Sequence, residues 1–190
     1  MSSSRRVKGV LFIDYVKMLR SQKGVDWRQH LPEQDLLYLT MKIDPDGWYP
    51  MATFERMGNQ ILRTTARGQM LTVQLWGRFS AGQLRAAHPN LLAPGDPIET
   101  LNRFRVMRET FFDFAALEVP VLHDEQAQIV VRYHMGMPAE EAAAYQTLGF
   151  FEGLLELAGV RDLQGDFRER SWLGDPRTLI SISWRMPDGN

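Results

Sequence analysis

The stretch that decides the fold is residues 127–159, AQIVVRYHMGMPAEEAAAYQTLGFFEGLLELAG. Its first eight residues alternate, putting Ile129, Val131 and Tyr133 on one face of a strand from Ala127 to His134. Pro138 then opens a helix that runs to about Gly159, with Glu140 and Glu141 at its electropositive end. Ala144, Leu148, Phe150, Phe151, Leu154, Leu155 and Leu157 make its apolar side broad. Only a narrow polar stripe, Gln146, Glu152 and Glu156, interrupts it, so the helix must be covered on most sides. Gly159 suits the residue just past its end. Downstream, one strand is expected through Phe167 and another through Ile180, Ile182 and Trp184. Upstream, Ala116 to Leu122 is a weaker strand. The C-terminal portion therefore reads ββαββ, an antiparallel sheet with a buried helix.

Working back toward the start, helical spacing dominates. Gly9 to Leu19 carries Val10, Leu11, Tyr15, Met18 and Leu19, and a short second helix follows Asp26-Trp27 and ends before Pro32. Asp44-Pro45-Asp46-Gly47 is a turn. Beyond Trp48-Tyr49-Pro50, Phe54, Met57, Ile61 and Leu62 lie on one side of a third helix. A fourth runs from about Gln69 to Ala87 through Leu71, Leu75, Trp76, Phe79 and Leu84. Asp96 caps the next, with Pro97 at its first position, and Ile98, Leu101, Phe104, Met107 and Phe111 are expected along one face. The fold class is α+β: a helical N-terminal part, residues 1–95, packed on residues 96–190, which hold the connecting helix and the ββαββ sheet.

Composition narrows the function classes. The 190 residues contain no cysteine, which excludes disulfides, cysteine nucleophiles and thiolate metal sites. Lys and Arg total 22 against 23 Asp and Glu, a net charge of −1 that does not suit nucleic acid. No apolar run approaches the ~20 residues of a membrane span. Met1-Ser2-Ser3-Ser4-Arg5-Arg6 lacks the apolar core of a secretory signal, so a cytoplasmic protein is expected.

Few constellations suggest chemistry. The histidines are dispersed at 30, 88, 123 and 134, and no Gly-x-Ser-x-Gly elbow is present, so no enzymatic activity is expected. His123-Asp124-Glu125 reads as a solvated turn rather than a ligand set, and no metal is expected. Arg103, Arg105 and Arg108 spread around a polar helix face; anion binding, with Arg63 and Arg67 added, is the alternative. The stripe Phe104, Met107, Phe111, Phe112 and Phe114 reads either as core or as the wall of an apolar pocket at a subdomain junction. Tyr133 would face that junction, its hydroxyl needing a partner.

Taken together, several of these segments resemble heme–nitric oxide/oxygen-binding domains. The opening, Val7-Lys8-Gly9-Val10-Leu11-Phe12 with Gly24-Val25-Asp26-Trp27 and Leu31, is similar to that family's first two helices. Val130 to Tyr133, Tyr145 to Gly159 and Leu179 to Trp184 are similar to its strand, buried helix and last strand. Trp48 to Leu84 resembles an uncharacterised paralogous family of myxobacterial proteins of similar length. The resemblance implies a sensory or regulatory module. It also implies an iron-ligating histidine on the helix before the sheet and a Tyr-x-Ser-x-Arg motif gripping heme propionates. Here Ile98 to Phe111 has no histidine, and the motif reads Tyr133-His134-Met135-Gly136-Met137. Losing the imidazole removes the bond to iron, and losing the arginine removes a partner for carboxylates. The expectation is a heme-free relative with no cofactor. An apolar small molecule, or a protein partner, would be bound at the junction by Phe104, Met107, Phe111, Tyr133 and Met135. The alternative is an interaction module with a solid core, as a homodimer through Trp27, Trp48 or Trp172.

Overall fold

Two three-residue strands that no alternation pattern reveals, Arg6–Lys8 (β1) and Trp48–Pro50 (β2), pair antiparallel and launch a helix each. These are Gly9–Ser21 (α1) and Met51–Thr64 (α3); Glu33–Thr40 (α2) lies between them in sequence. The computed structural model describes residues 4–186, and within it the chain divides into two compact units. Of the start read above for a leader, residues 1–3 fall outside the described residues. One unit holds the chain up to Gln69 together with Glu109–Phe114; the other holds Met70–Arg108 and the chain from Ala115 onward.

In the first unit Gly9 is required by crowding: a Cβ there would collide with the Asp44 carbonyl of the Asp44-Pro45-Asp46-Gly47 turn. That turn is closed by Gly47 N donating to Asp44 O at 3.1 Å and Asp46 N to Asp44 Oδ1 at 3.0 Å. The core is aromatic. Phe12 stacks on Tyr49 at 4.6 Å and meets the edge of Tyr38 at 5.2 Å, while Tyr15 stacks on Phe54 at 3.9 Å. Asp35 is wholly buried and is held by Arg56 (Nε to Oδ2, 2.5 Å) and by the Thr53 hydroxyl (2.8 Å). Glu109–Phe114 returns to β1: Lys8 N donates to Phe111 O, and the Arg6 guanidinium pairs with Asp113 at 2.7 Å.

The second unit contains Met70–Ala87 (α4), Pro97–Met107 (α5), Leu117–His123 (β3), Gln126–Val131 (β4), Ala139–Leu157 (α6), Arg161–Glu169 (β5) and Thr178–Arg185 (β6). The sheet runs β3-β4-β6-β5, antiparallel throughout, with α6 inserted between β4 and β5 in sequence. Ala127, Ile129, Val131, Ile180 and Ile182 are buried, and Gly165 opens room for α6, since a Cβ there would meet Leu148 Cδ1 at 2.5 Å. The architecture is the α+β one expected: a helical N-terminal part and a C-terminal ββαββ sheet.

Several details differ from the sequence reading. The short second helix expected after Asp26-Trp27 is only a tight turn, Trp27–Gln29, and the helix proper, α2, begins beyond Pro32 at Glu33. α5 ends at Met107, and a tight turn over Arg108–Thr110 follows, so Phe111 is not on its face. In α4 the buried residues are Val73, Gly77, Ala81 and Leu84, while Leu71, Leu75 and Phe79 are exposed. The reason is close helix approach. Gly77 and Gly149 let the backbones of α4 and α6 touch, since a Cβ on either would collide with the Gln146 or Gln74 carbonyl. Bulky side chains are expelled from such a seam. Among the described residues no helix is long and apolar enough to cross a membrane.

Candidate functional site

Around the link between β4 and α6 several buried polar groups gather: Tyr133, Glu140 and Thr147, with Thr178 nearby. Tyr133 follows the end of β4 and is 7% exposed. Its hydroxyl lies 2.7 Å from Thr147 Oγ1 on α6. Thr147 donates its single proton to Ala143 O at 2.8 Å, so the Tyr133 hydroxyl is the donor of the pair. Burial pushes the Tyr133 phenol well above its ordinary range, and the nearby Glu140 carboxylate adds to this.

Glu140, in the first turn of α6 and 7% exposed, closes the link from the other side. Its Oε2 accepts from Met135 N at 2.8 Å and its Oε1 from the Ser171 hydroxyl at 3.0 Å. Ser171 in turn lies 2.8 Å from the Thr178 hydroxyl, which is fully buried at the start of β6. A buried carboxylate thus ties residues 133–138 to the β5–β6 connection, favoured by its place at a helix N-terminus. His134 adopts φ 54° and the Met137–Pro138 peptide is cis.

Of the residues picked from sequence, Tyr133 and Met135 both belong to this link, Tyr133 bonding Thr147 and the Met135 amide bonding Glu140. Phe104 is 2% exposed, with ring centroids 5.3 Å from Phe150 and 4.9 Å from Phe151, so it reaches α6 one turn beyond Thr147. Met107 is half-buried at the end of α5. Phe111 is buried in the first unit, where its carbonyl serves β1. The arginines are engaged locally: Arg103 with Glu99 and the carbonyls of Asn90 and Leu92, Arg105 with Asn102, Arg108 with Leu117 O. His123-Asp124-Glu125 is the exposed tip of the β3–β4 hairpin. Among the described residues no group of three or more His, Asp or Glu is placed to hold a metal.

Thr147, Ser171 and Thr178 were not picked out, and Glu140 was read only as a helix-end charge. Thr147 carried a legible signal, being a hydroxyl among Ala143, Ala144, Leu148 and Phe151 on an apolar helix face. A separate cleft of about 570 Å³ lies at the opposite end of β4, lined by Glu125, Asp162, Gln164, Ser183 and Arg185 among others.

This fold is similar to that of solved H-NOX proteins. An H-NOX protein from S. oneidensis in the Fe(II)NO ligation state matches with a TM-score of 0.64, at 12% identity, over 94% of this chain and 99% of that one. An Fe(II) unliganded H-NOX mutant from K. algicida matches at 0.66 and 15% identity, over 95% and 98%. A mutant H-NOX of T. tengcongensis matches at 0.60 and 15%, over 96% and 100%. The chain therefore has the H-NOX-like fold, over nearly its whole length. Neither a family model nor a curated protein matches its sequence.

Proposed function

We propose that the chain is a heme-free sensory or regulatory module of bacterial signalling, non-enzymatic and cytoplasmic, that responds to an apolar small ligand or a partner protein. The fold likeness supports the sensory part, since it covers proteins whose iron is ligated or unliganded. Kinship with the myxobacterial paralogues belongs to the same reading.

The observation that carries the heme-free part is the closed link at residues 133–138. In the resemblance, this is where cationic and hydroxyl groups grip propionates. Here the tyrosine hydroxyl is given to Thr147, the Met135 amide to Glu140, and the segment supplies no arginine or lysine. A buried carboxylate at the same place repels a second carboxylate at low dielectric. On the helix before the sheet, α5 has no imidazole, and the Phe104 ring is packed edge-on into Phe151. These residues do not fit a heme. They fit an apolar ligand or none, and the aromatic packing of Phe104 favours the second reading, a solid interaction module.

Titrating hemin into the purified full-length chain tests this. The expected result is weak, non-saturating absorbance change with no stoichiometric Soret band. A saturable 1:1 Soret complex would overturn the proposal. Native mass spectrometry of the same protein separates the two readings, a co-purifying apolar molecule supporting the ligand and a bare mass supporting the solid module.

A further inference from the structure

Three of the exposed apolar side chains in the second unit fall on one line. Leu71, Leu75 and Phe79 on α4 are 66%, 55% and 65% exposed and are spaced four residues apart. Successive steps of four along an α-helix advance the position by only about 40°, so the three make a continuous ridge on the outer side of the helix. The opposite side is consumed by the glycine seam with α6.

We infer that this ridge is the self-association surface of the protein, meeting the same ridge of a second copy. Charge selects the occupant. α4 carries two charged residues, Arg78 and Arg85. Arg78 is drawn to the α6 side by Glu152 (3.0 Å) and Glu156 (3.0 Å). Arg85 lies six residues beyond Phe79, more than one and a half turns further along and about 120° from it around the helix. From Leu71 to Phe79 the ridge therefore carries no charge of its own, Arg78 being turned to α6 and Arg85 lying past its end. A two-fold contact sets a patch against its own image, which a charged patch resists and an uncharged apolar one favours. A charged peptide or an anionic membrane would find no complement there.

The area fits a dimer of modest strength. At roughly 200 Å² for each side chain when fully open, the ridge offers on the order of 400 Å² of apolar surface per copy. Two ridges with a rim of Thr72, Gln83 and Ala86 approach the ~1,200 Å² at which specific interfaces begin. The four-residue spacing places ridge into groove at a crossing near −50°, centred on Leu75. This surface is distinct from the Tyr133–Glu140 link, so the dimer stands or falls independently of the heme-free reading.

Sedimentation equilibrium of the full chain across the micromolar range is the test. The expected result is a reversible monomer–dimer equilibrium, with Leu75→Glu weakening it about 30-fold or more while leaving the melting transition in place. Because the chain has no cysteine, single substitutions give clean cross-linking. Leu75→Cys is expected to form a disulfide-linked dimer far faster than Ser183→Cys, which is exposed on the sheet. A chain that stays monomeric at hundreds of micromolar, with the two cysteines linking at equal rates, would overturn the inference. So would a monomer that binds vesicles or another protein through this ridge.

Discussion

Tyr133 shows how one buried hydroxyl links stability to pH. Its phenol titrates higher in the folded chain than the ~10 of an unfolded tyrosine, mainly because burial penalises the phenolate. The folded state thus holds its proton where the unfolded state has released it. The associated stability is complete below pH ~10 and declines as pH climbs from there toward the folded value, by about 1.4 kcal/mol per pH unit. Urea unfolding at pH 9 and pH 11 should show the wild type losing about 1 kcal/mol more than Tyr133→Phe over that interval. At neutral pH the same substitution should cost about 1 kcal/mol, because Thr147 loses a donor. A Tyr133→Phe variant with an unchanged alkaline slope would remove the phenol from this account. The pair Asp35 and Arg56 gives a second, asymmetric prediction. Asp35 is fully buried whereas the Arg56 side chain is 36% exposed. Arg56→Ala strands a carboxylate with only Thr53 as donor and should cost about 3 kcal/mol in urea unfolding. Asp35→Ala frees a guanidinium that can turn to water, and should cost less. Sequence located Tyr133 as a buried phenol in want of a partner, but the partner lies 14 residues on. Glu140 was legible only as a charge suited to a helix end, because its bonds to Met135 and Ser171 depend on how the β5–β6 connection folds back.

At the scale of elements, the seam between α4 and α6 separates two kinds of glycine. Gly77 and Gly149 each sit against a carbonyl oxygen of the facing helix, a backbone group that cannot swing aside. Gly77→Ala or Gly149→Ala must force the helices apart and should cost about 3 kcal/mol or more, read as a lowered melting temperature. Gly82, on the same helix as Gly77, has nothing within 4 Å of the Cβ it would gain. Gly82→Ala should therefore stabilise, by up to about 1 kcal/mol, through helix propensity alone. Equal effects at Gly77 and Gly82 would contradict the seam. The same contact explains what could be read in advance. α6 was legible because its apolar breadth, Pro138 and Gly159 are local signals, and Gly159 takes φ 97° just past the helix end. α5 was legible at its start, where the Asp96 side chain accepts from Glu99 N, but not at its end. Phe111 kept helical spacing with Phe104 and Met107, yet the chain leaves the helix at Met107 so that Phe111 O can accept from Lys8 N. A hydrogen bond across more than a hundred residues leaves no periodic trace. β1 and β2 were missed for the same reason: three residues each cannot display an alternation. In α4 the apolar spacing revealed the helix but not which side it buries. The small residues Gly77 and Ala81 marked the buried side, while the large ones Leu71, Leu75 and Phe79 marked solvent.

For the whole molecule, the division of the chain matters more than any single boundary. Residues up to Gln69 form a unit only together with Glu109–Phe114, a segment that leaves the second unit after Arg108 and re-enters it at Ala115. That segment contributes backbone pairing to β1 through Phe111 O and Asp113 N, an ion pair from Asp113 to Arg6, and the buried rings of Phe111 and Phe112. A fragment ending at Gln69 keeps α1, α2 and α3 but loses the strand-like partner that covers Val7. At 69 residues a domain is already marginal, and without that cover it buries too little surface to offset chain entropy. The fragment of residues 1–69 should accordingly show no cooperative thermal transition by circular dichroism. The fragment of residues 70–190 retains the sheet, α4, α5 and α6, and should melt cooperatively at a lower temperature than the full chain, since Phe111 and Phe112 lose their cover. Mixing the two should restore a transition near that of the intact protein, because the missing pairing is non-covalent and each half carries its own side of it. If the short fragment melts cooperatively alone, the 109–114 segment is dispensable and the unit is continuous in sequence after all.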